Sequence, residues 1–538
     1  MNRLIPPKTK RNTTIYKGLT FKDLGIIFIS LIIIILLFFT NFKRLLKYGL
    51  MVIILIITLS SMLKVDLDKR VYHYYLLFIK YLLRKKRINK VKISDIYDLK
   101  ILDSNIVSFG DLKMIAIEVK GIDFLVLPEE NQDMIIEEMK RIFRLVKRGS
   151  IYKIDRPLNF DNYIDKNLDK AVYFKKRIDL IKDKTIIDRY KRRIELLENI
   201  DNTLSYYNES REIKIESFYL LLYDKSISNL KSLSSETINI LVNIGIDARL
   251  ADNESLDSLY SSYYNYKGKV EDIEIDKINE RWNSIDINDD IFKISSITHL
   301  PMSAPNAWLS DLFLIPNTIV KFDFSVENDK LKVYKTINKS ILELRGRALE
   351  KGLSESDKID LNKDIESLSY LLTQLKLDNE QLHLSSFLIM YKEDDLRIVE
   401  NAARDNNMYL NHLYFNQYNS YLSLDPSTSI NKLIEKEISF NLQTSSLSGS
   451  FPFISHLFLD PDGDYLGNNR YPVFFDIFDS WKKYHPTRTN ANMTIFGKSG
   501  GGKSFYLKKE ILQQLLKGTK VFILDPENEY YKLSGIKK

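Results

Sequence analysis

Two long runs of apolar residues near the N-terminus are the strongest feature of the hydrophobic pattern. Residues 24–42 carry no charge, and residues 48–63 form a second uncharged run after a short basic loop. The first run is long enough to cross a bilayer as a helix, and the second is marginal in length. The pattern predicts an N-terminal two-helix transmembrane hairpin. A cleaved signal peptide is disfavoured because no small-residue cleavage site follows the first run.

Lysine and arginine residues flank both apolar runs. Six lie within residues 1–22, three lie in the loop, and a dense group after the second run ends in Arg84-Lys-Lys-Arg87. Because cytoplasmic flanks are rich in Lys and Arg, we expect both ends, and the bulk of the chain, in the cytoplasm. Residues 71–83 combine aromatic and aliphatic side chains, which predicts a helix at the membrane interface or, alternatively, an ordinary buried helix.

Shorter strand-like and helix-like patterns alternate through residues 93–445, which predicts an α+β domain. Strands are predicted at 114–127 around a turn at Gly121, and at 218–223, 322–326 and 384–391. Helices are predicted at 129–147, 164–208, 235–243 and 340–377. The charged segment 164–208 is typical of a solvated helix pair, and the serine-rich run 444–450 is the candidate linker.

A glycine-rich loop near the C-terminus lies between two short apolar runs. Residues 493–496 precede the loop, a helical pattern covers 505–517, and 521–524 form the second run, with Gly518 as the expected helix stop. This order predicts strand, loop, helix and strand, the start of an α/β P-loop NTPase core. The loop fits G-x-x-x-x-G-K-[ST] at every fixed position, and the alternative is a glycine-rich turn that happens to precede a helix.

The loop supplies the candidate site. The predicted nucleotide-binding residues are Gly497, Lys498, Ser499, Gly500, Gly501, Gly502, Lys503 and Ser504. The glycines let backbone N–H groups approach phosphates, and the following helix directs its positive dipole end at them. Lys503 is the predicted catalytic phosphate contact, and the Ser504 hydroxyl is the predicted Mg²⁺ ligand, so ATP and Mg²⁺ are the expected cofactors. Asp525 and Glu527 are candidates near the nucleotide, or else they only form a turn.

Composition narrows the chemistry further. The 538 residues include no cysteine, which excludes disulfides and thiolate metal sites, and the six histidines lack zinc-ligand spacing. The net charge of +8 is modest and its basic excess lies near the N-terminus, which favours a membrane surface over nucleic acid. The middle region presents no catalytic constellation, so its expected role is structural and partner-binding.

Two motifs precede the first apolar run, Leu4-Ile-Pro-Pro-Lys8 and Gly18-Leu-Thr-Phe-Lys22. In this order they resemble the PrgI family, whose members are small two-span inner-membrane components of conjugative transfer systems. The resemblance covers residues 1–92 and implies a membrane hairpin with a basic juxtamembrane helix.

Motifs in the rest of the chain resemble the type IV secretion and conjugative-transfer ATPases, a branch of the FtsK/HerA-like P-loop superfamily. These motifs are Asp123-Phe-Leu-Val-Leu-Pro-Glu-Glu130, Gly245-Ile-Asp-Ala-Arg-Leu250, Ala307-Trp-Leu-Ser-Asp-Leu312, Gly463-Asp-Tyr-Leu-Gly467, Pro472-Val-Phe-Phe-Asp476, the phosphate loop, and Asp525-Pro-Glu-Asn-Glu-Tyr530. The resemblance implies an α+β domain at 93–445 and an incomplete P-loop NTPase domain at 446–538.

The family resemblance implies a membrane-associated, hexameric ATPase at the bacterial cell membrane. Its partners would be secretion-channel components, with DNA contact indirect, and it would power apparatus assembly or DNA–protein transfer. The acidic Mg²⁺- and water-activating motif is expected beyond Lys538, so we expect this C-terminally truncated chain alone to bind nucleotide weakly and hydrolyse little. The alternatives are a non-enzymatic membrane scaffold of the same machine and a duplex-DNA translocase.

Overall fold

A computed structural model gives the fold of the chain. It describes residues 3–4, 14–16, 19–40, 43–66, 69–92, 99–102, 105–211, 213–264, 274–288, 290–301, 303–326, 329–349, 355–377, 380–428, 432–455, 464–468, 475–478, 491–516 and 519–534. Gly518, most of the motif at 4–8 and part of the motif at 472–476 lie outside these residues. The chain divides into a first unit, residues 1–156 and 216–456, and a second unit, residues 157–215 and 457–538.

The N-terminal part of the first unit contains short strands and three helices. The strands are β1 Arg3–Leu4, β2 Thr14–Tyr16, β3 Leu19–Thr20, β4 Lys64–Asp66 and β5 Lys69–Arg70. The helices are α1 Phe21–Phe38, α2 Arg44–Ser61 and α3 Val71–Leu83. β2 pairs with β3 and β4 with β5, both antiparallel, so each short pair leads into a helix.

Polar contacts fix the ends of α1 and α2. Thr20 and Asp23 form a reciprocal capping box at the start of α1, and buried Asp23 pairs with Arg70 at 3.0 Å. The Lys47 ammonium donates to the carbonyl oxygens of Phe38 and Thr40. Among the residues described, α2 is the one helix long and apolar enough to cross a membrane. A two-span hairpin therefore stays a prediction.

Helix α3 packs by its aromatic side chains against the rest of the first unit. The ring centroids of Tyr74 and Tyr414 are 6.1 Å apart, and those of Phe78 and Phe415 are 5.4 Å apart. Leu76 and Leu83 are exposed. The helix thus has a protein-facing side and an exposed apolar side. This arrangement differs from a fully buried helix and is compatible with a position at an interface.

A 14-stranded sheet forms the body of the first unit. The strands from here to the end of the unit are β6 Arg87–Lys92, β7 Leu99–Leu102, β8 Ile106–Phe109, β9 Leu112–Val119, β10 Arg148–Pro157, β11 Lys214–Asp224, β12 Ala248–Leu250, β13 Glu274–Glu280, β14 Ile285–Ile287, β15 Asp290–His299, β16 Ser303–Ala304 (which pairs with β1 outside this sheet), β17 Ile319–Val326, β18 Leu382–Lys392, β19 Tyr409–His412 and β20 Ser439–Gln443.

The sheet order is β6-β13-β14-β15-β18-β17-β10-β11-β9-β8-β7, with β12 beside β9, β19 beside β15 and β20 beside β18. Strand β17 pairs antiparallel with β10 and with β18, which places these three strands near the middle of the sheet. The expected α+β class is therefore seen as a large, mainly antiparallel sheet with helices on both sides.

Both faces of the sheet are buried, and β11 illustrates how. Because strand side chains alternate, Phe218, Leu220 and Leu222 enter one core, whereas Tyr219 and Leu221 enter the other. The first core is mainly aliphatic with phenylalanine, and the second is rich in tyrosine. A run without polar alternation at 218–223 is the expected signature of a strand buried on both faces.

Helices of the first unit cover both faces of the sheet. In chain order, the helices from here to the end of the first unit are α4 Glu129–Leu145, α5 Asp161–Ile178 and α6 Lys184–Ser210 (both of the second unit), α7 Ile227–Asn243, α8 Asn253–Tyr264, α9 Ser310–Phe313, α10 Lys330–Ala348, α11 Glu355–Leu377, α12 Leu396–Asp405, α13 Gln417–Leu424, α14 Lys432–Ile438 and α15 Thr444–Gly449. The four predicted helical segments correspond to α4, the α5–α6 pair, α7 and the α10–α11 pair.

Two sequence-based expectations for the first unit are wrong. The serine-rich run is not a linker: it forms α15, and Thr444, Ser446 and Ser448 are fully buried. The strand expected after Gly121 is replaced by a short 3₁₀ helix, Phe124–Val126. Burial accounts for the second difference, because the Phe124 ring is fully buried in the first core and stacks on Phe451, with the two ring centroids 4.4 Å apart.

The second unit contains the antiparallel helix pair α5–α6 and the C-terminal region. Strand β21 Asp464–Asn468 pairs antiparallel with β22 Phe475–Phe478. Two further helices follow, α16 Lys503–Leu516 and α17 Tyr531–Ser534. Helix α16 lies where the sequence predicts the helix after the phosphate loop.

Candidate functional site

The glycine-rich loop adopts a conformation that only glycine favours at several positions. Gly500 and Gly502 have φ angles of +74° and +86°. At Gly501, an added Cβ would lie 2.9 Å from the Lys498 carbonyl oxygen, and the Gly501 N–H donates to that same oxygen at 3.0 Å. A side chain at these positions would strain the backbone or collide with it. The local sequence therefore folds into a tight loop whose backbone is open to solvent.

Lys503 closes this loop from the helix side. Its ammonium donates to the carbonyl oxygens of Gly497, at 2.8 Å, and Lys498, at 3.0 Å. The Lys503 side chain is part-exposed, so the charge remains accessible from solvent. An ammonium held over a glycine-rich loop by exchangeable hydrogen bonds is suited to an incoming phosphate group. Sequence reasoning identified Lys503 but missed the two carbonyl oxygens that position it.

Helix α16 begins at Lys503 and places Ser504 in its first turn. The Tyr506 N–H donates to the Gly502 carbonyl oxygen at 2.9 Å, which joins loop and helix. Unpaired N–H groups and the positive end of the helix dipole favour an anion at this terminus. The Ser504 hydroxyl is thus well placed in sequence and helix position to bind Mg²⁺ beside a bound triphosphate. The residues present fit a nucleotide polyphosphate.

The two apolar runs beside the loop do not form the expected strands. Residues 491–498 and 519–525 are irregular. Phe496, Phe522 and Leu524 are 89%, 93% and 94% exposed. A strand needs hydrogen-bonding neighbours, and no segment that the structure describes pairs with either run. The loop and its helix form as predicted, whereas the prediction of a strand on each side of them is wrong.

Asp525 and Glu527 belong to a turn. Asp525 accepts a hydrogen bond from the Tyr530 N–H at 2.7 Å through its side chain, and Asn528 has a φ of +56°. Within the described parts of the chain, neither carboxylate makes a hydrogen bond or ion pair with the phosphate loop. The geometry supports the turn-forming alternative for Asp525, and a nucleotide-linked role for either residue stays a prediction.

Buried charges in the first unit have a different character. The Lys321 ammonium is fully buried and donates to the carbonyl oxygens of Ser423, Asp425 and Thr428 at 2.9, 2.8 and 2.5 Å. Lys153 similarly pairs with Asp155 and donates to the Ile315 carbonyl oxygen at 2.8 Å. These lysines fix loops against the sheet. Nowhere in the described ranges do three His, Asp or Glu residues form a metal-binding group.

Comparison with known proteins agrees with this site. Residues 489–538 match the family model described as "Helicase HerA, central domain". The C-terminal segment is therefore similar to the HerA/FtsK-like domains of the P-loop ATPase superfamily. The match covers the loop, α16 and the turn at Asp525, and it leaves the preceding residues unassigned.

A curated relative extends the comparison beyond the phosphate loop. An uncharacterized protein of Bacillus anthracis, pXO2-09, is 28% identical over 237 residues, which is 42% of this chain and 36% of that protein. The chain matches about a third of the length of this relative.

Proposed function

We propose that the chain binds ATP and Mg²⁺ at the phosphate loop and acts as an energising component of a conjugative or type IV secretion system. The observation that carries the nucleotide-binding part is the Lys503 ammonium, held 2.8 Å from the Gly497 carbonyl oxygen above a loop with two positive-φ glycines. Phosphate oxygens would replace the loop carbonyls as partners of Lys503. The Ser504 hydroxyl would supply a ligand to Mg²⁺.

The role in a secretion machine rests on the resemblance of several motifs to a known family. Motifs such as Asp525-Pro-Glu-Asn-Glu-Tyr530 resemble those of conjugative-transfer ATPases. In this role the chain would form a homo-hexamer, contact channel components and power assembly or DNA–protein transfer. A P-loop domain that works with neighbouring subunits would need such an assembly.

Membrane anchoring is the third element of the proposal. Helix α2 has the length and composition of a membrane span. Leu36 in α1 and Leu59 in α2 are 62% and 64% exposed, so these helices present apolar surface outward. Surface of this kind is stable in hydrocarbon and costly in water. We therefore propose that α1 and α2 cross the bacterial cell membrane as two spans, with the bulk of the chain in the cytoplasm.

Nucleotide binding is tested by titrating the purified full chain, in neutral detergent, with a fluorescent ATP analogue and Mg²⁺. We expect saturable binding that weakens at least about tenfold in Lys503→Ala, because one charge-assisted phosphate contact contributes about 1.5–3 kcal/mol. Lys520→Ala, an exposed lysine outside the loop, is the matched control. Equal binding by Lys503→Ala and the control would reject the site and favour the scaffold alternative.

Membrane anchoring is tested separately by expressing the chain in bacteria and washing the membranes at alkaline pH. An integral protein stays in the pellet, and removal of residues 21–61 should release it into the supernatant. A full-length chain that is washed off as completely as the deletion variant would contradict the anchor. That outcome would leave nucleotide binding unaffected.

A further inference from the structure

Helices α5 and α6 form a two-helix arm whose geometry is well defined by contacts along its length. Side-chain amides of Asn167 and Asn208 donate to Asp201 and Asp161 at 2.8 and 2.9 Å, which fixes an antiparallel pair. Helix α6 has 27 residues. At 1.5 Å per residue it is about 40 Å long. The arm therefore carries its helix connection far from its own base.

Charge is strongly segregated along this arm. Residues 175–193, here called the arm tip, contain nine Lys or Arg and three Asp, a net charge of +6. The rest of the arm, 161–174 and 194–210, contains two Lys and seven Asp or Glu, a net charge of −5. The charges of the two parts nearly cancel, so the net charge of the whole arm does not reveal the basic tip. A solvated helix pair has no need of such a separation.

Aromatic rings hold two of the tip arginines in place. Phe174 and Tyr190 stack across the two helices with centroids 5.3 Å apart, and the Arg193 guanidinium lies 5.6 Å from the Phe174 ring. Arg177 lies 5.3 Å from the Tyr173 ring. A guanidinium stacked on a ring loses little freedom and keeps its N–H edge available for phosphate.

Other cations of the arm tip are free for a partner. Lys176, Lys182, Lys191 and Arg192 are exposed, and none makes an ion pair with any residue that the structure describes. By contrast, Asp183 is used locally, because its carboxylate accepts a hydrogen bond from the Thr185 N–H and begins α6. The tip thus presents several uncompensated positive charges over both helices, and these charges would gain most from a polyanion.

We infer that the arm tip is a docking surface for the phosphate backbone of duplex DNA. Two observations favour this partner over a bilayer. Leu180 is the one large, strongly exposed apolar side chain in the connection between α5 and α6, and Asp179 and Asp183 flank it. Insertion of Leu180 would bring both carboxylates against anionic headgroups. Single-stranded DNA is disfavoured because Phe174 and Tyr190 stack on each other rather than offering a free face to a base.

The test uses the full chain in neutral detergent and a fluorescent duplex of random sequence, about 30 base pairs long. The variant is Arg189→Gln/Lys191→Gln/Arg192→Gln, three exposed positions of α6. We expect affinity at low salt to fall at least about tenfold, and the slope of log K against log salt to decrease by about 2–3, because each lost phosphate contact removes about 0.9.

The matched control is Lys332→Gln/Lys335→Gln/Lys339→Gln, an equal change of charge at exposed positions of α10. It should bind the duplex as the unmodified chain does. Equal losses in the two triple variants, or no loss in either, would overturn the inference. Tighter binding to the single strand would also do so. Tip-dependent binding to phosphatidylserine vesicles without duplex binding would assign the surface to a membrane instead.

This inference does not depend on nucleotide binding. A chain that binds duplex through the tip but no ATP would reject the proposed function and retain the docking surface. Circular dichroism of the tip variant should match that of the unmodified chain, because glutamine is a good helix former.

Discussion

The large sheet and the phosphate-loop region use the same chemistry in opposite settings. In the sheet, the Lys321 ammonium donates to three backbone carbonyl oxygens and is fully buried. In the loop, Lys503 donates to two backbone carbonyl oxygens and remains partly open to water. Water can replace the partners of Lys503 but not those of Lys321. Lys503 is therefore available to a ligand, whereas Lys321 only stabilises the fold.

The apolar residues of the two regions differ in the same way. Phe322 in β17 is completely buried, with strands hydrogen-bonded on both sides. Phe522 follows the phosphate-loop helix, lies outside any described strand and is 93% exposed. Pairing of the backbone, rather than hydrophobicity alone, decides which apolar run becomes a buried strand. Substitutions in the two regions test this difference.

The largest effect is expected from a pair of phenylalanines. Phe322→Ala should lower the free energy of unfolding by about 3–5 kcal/mol, because a buried ring is lost and a cavity is left. Phe522→Ala should change it by less than about 0.5 kcal/mol, because the ring already contacts water. Urea denaturation followed by tyrosine fluorescence measures both. Similar losses in the two variants would mean that Phe522 is buried in solution.

Lys321→Met is expected to cost about 3 kcal/mol, because three buried carbonyl oxygens lose their donor and Asp323 loses its nearby cation. Burial lowers the pKa of Lys321 and raises the pKa of Asp323. Methionine keeps the apolar stem, so the loss reports mainly on the charge. Lys332→Met, at an exposed position of α10, should be nearly neutral. A loss below about 1 kcal/mol for Lys321→Met would argue against the carbonyl contacts.

A smaller, pH-dependent effect is expected at Glu216. Burial raises the pKa of its carboxyl from 4.5 to about 7, opposed by a hydrogen bond from the Ser455 hydroxyl at 2.5 Å. The unfolded chain therefore loses this proton first, and stability from this group falls as the pH rises from 4.5 to about 7. Glu216→Gln imitates the protonated carboxyl and should stabilise the chain at pH 8 by about 1–3 kcal/mol.

The same variant supplies its own control at low pH. At about pH 4 the folded wild type is already protonated at Glu216, so Glu216→Gln should unfold at nearly the same urea concentration. A variant less stable than the wild type at pH 8 would show that the carboxylate is ionised and useful in the folded chain. This result would reverse the sign of the predicted pH dependence.

Local patterns predicted much of the fold and of the site. Helices α4, α6 and α16 and strand β11 follow directly from periodicity. The conformation of the phosphate loop was also predictable, because its glycines, Lys503 and Ser504 are contiguous in sequence and the loop is shaped by contacts among neighbouring residues. Sheet order was not predictable, since the pairing of β17 with both β10 and β18 depends on residues far apart in the chain.

Features that depend on distant partners escaped the sequence analysis. The serine-rich helix α15 is buried against residues far away in the chain: the Trp308 indole N–H donates to the Ser446 carbonyl oxygen at 3.2 Å. Burial is tolerated because its hydroxyls bond within the helix, for example Ser448 to the Thr444 carbonyl oxygen at 2.7 Å. The basic runs at 175–177 and 189–193 were visible separately, but only the antiparallel register of the arm brings them together. The chemistry of the phosphate loop depends on neighbouring residues and can be predicted from the sequence. The burial of α15 and the clustering of the basic residues depend on distant residues and cannot.

We propose that the phosphate loop responds to ligand, whereas the large sheet is already fixed. Hydrogen exchange of the full chain, with and without Mg²⁺–ATP, measures this difference. We predict slower exchange of the amides at 497–504 in the wild type, no slowing in Lys503→Ala, and unchanged exchange in β11 in both. Unchanged exchange at 497–504 in the wild type, or equal slowing in Lys503→Ala, would contradict the claim.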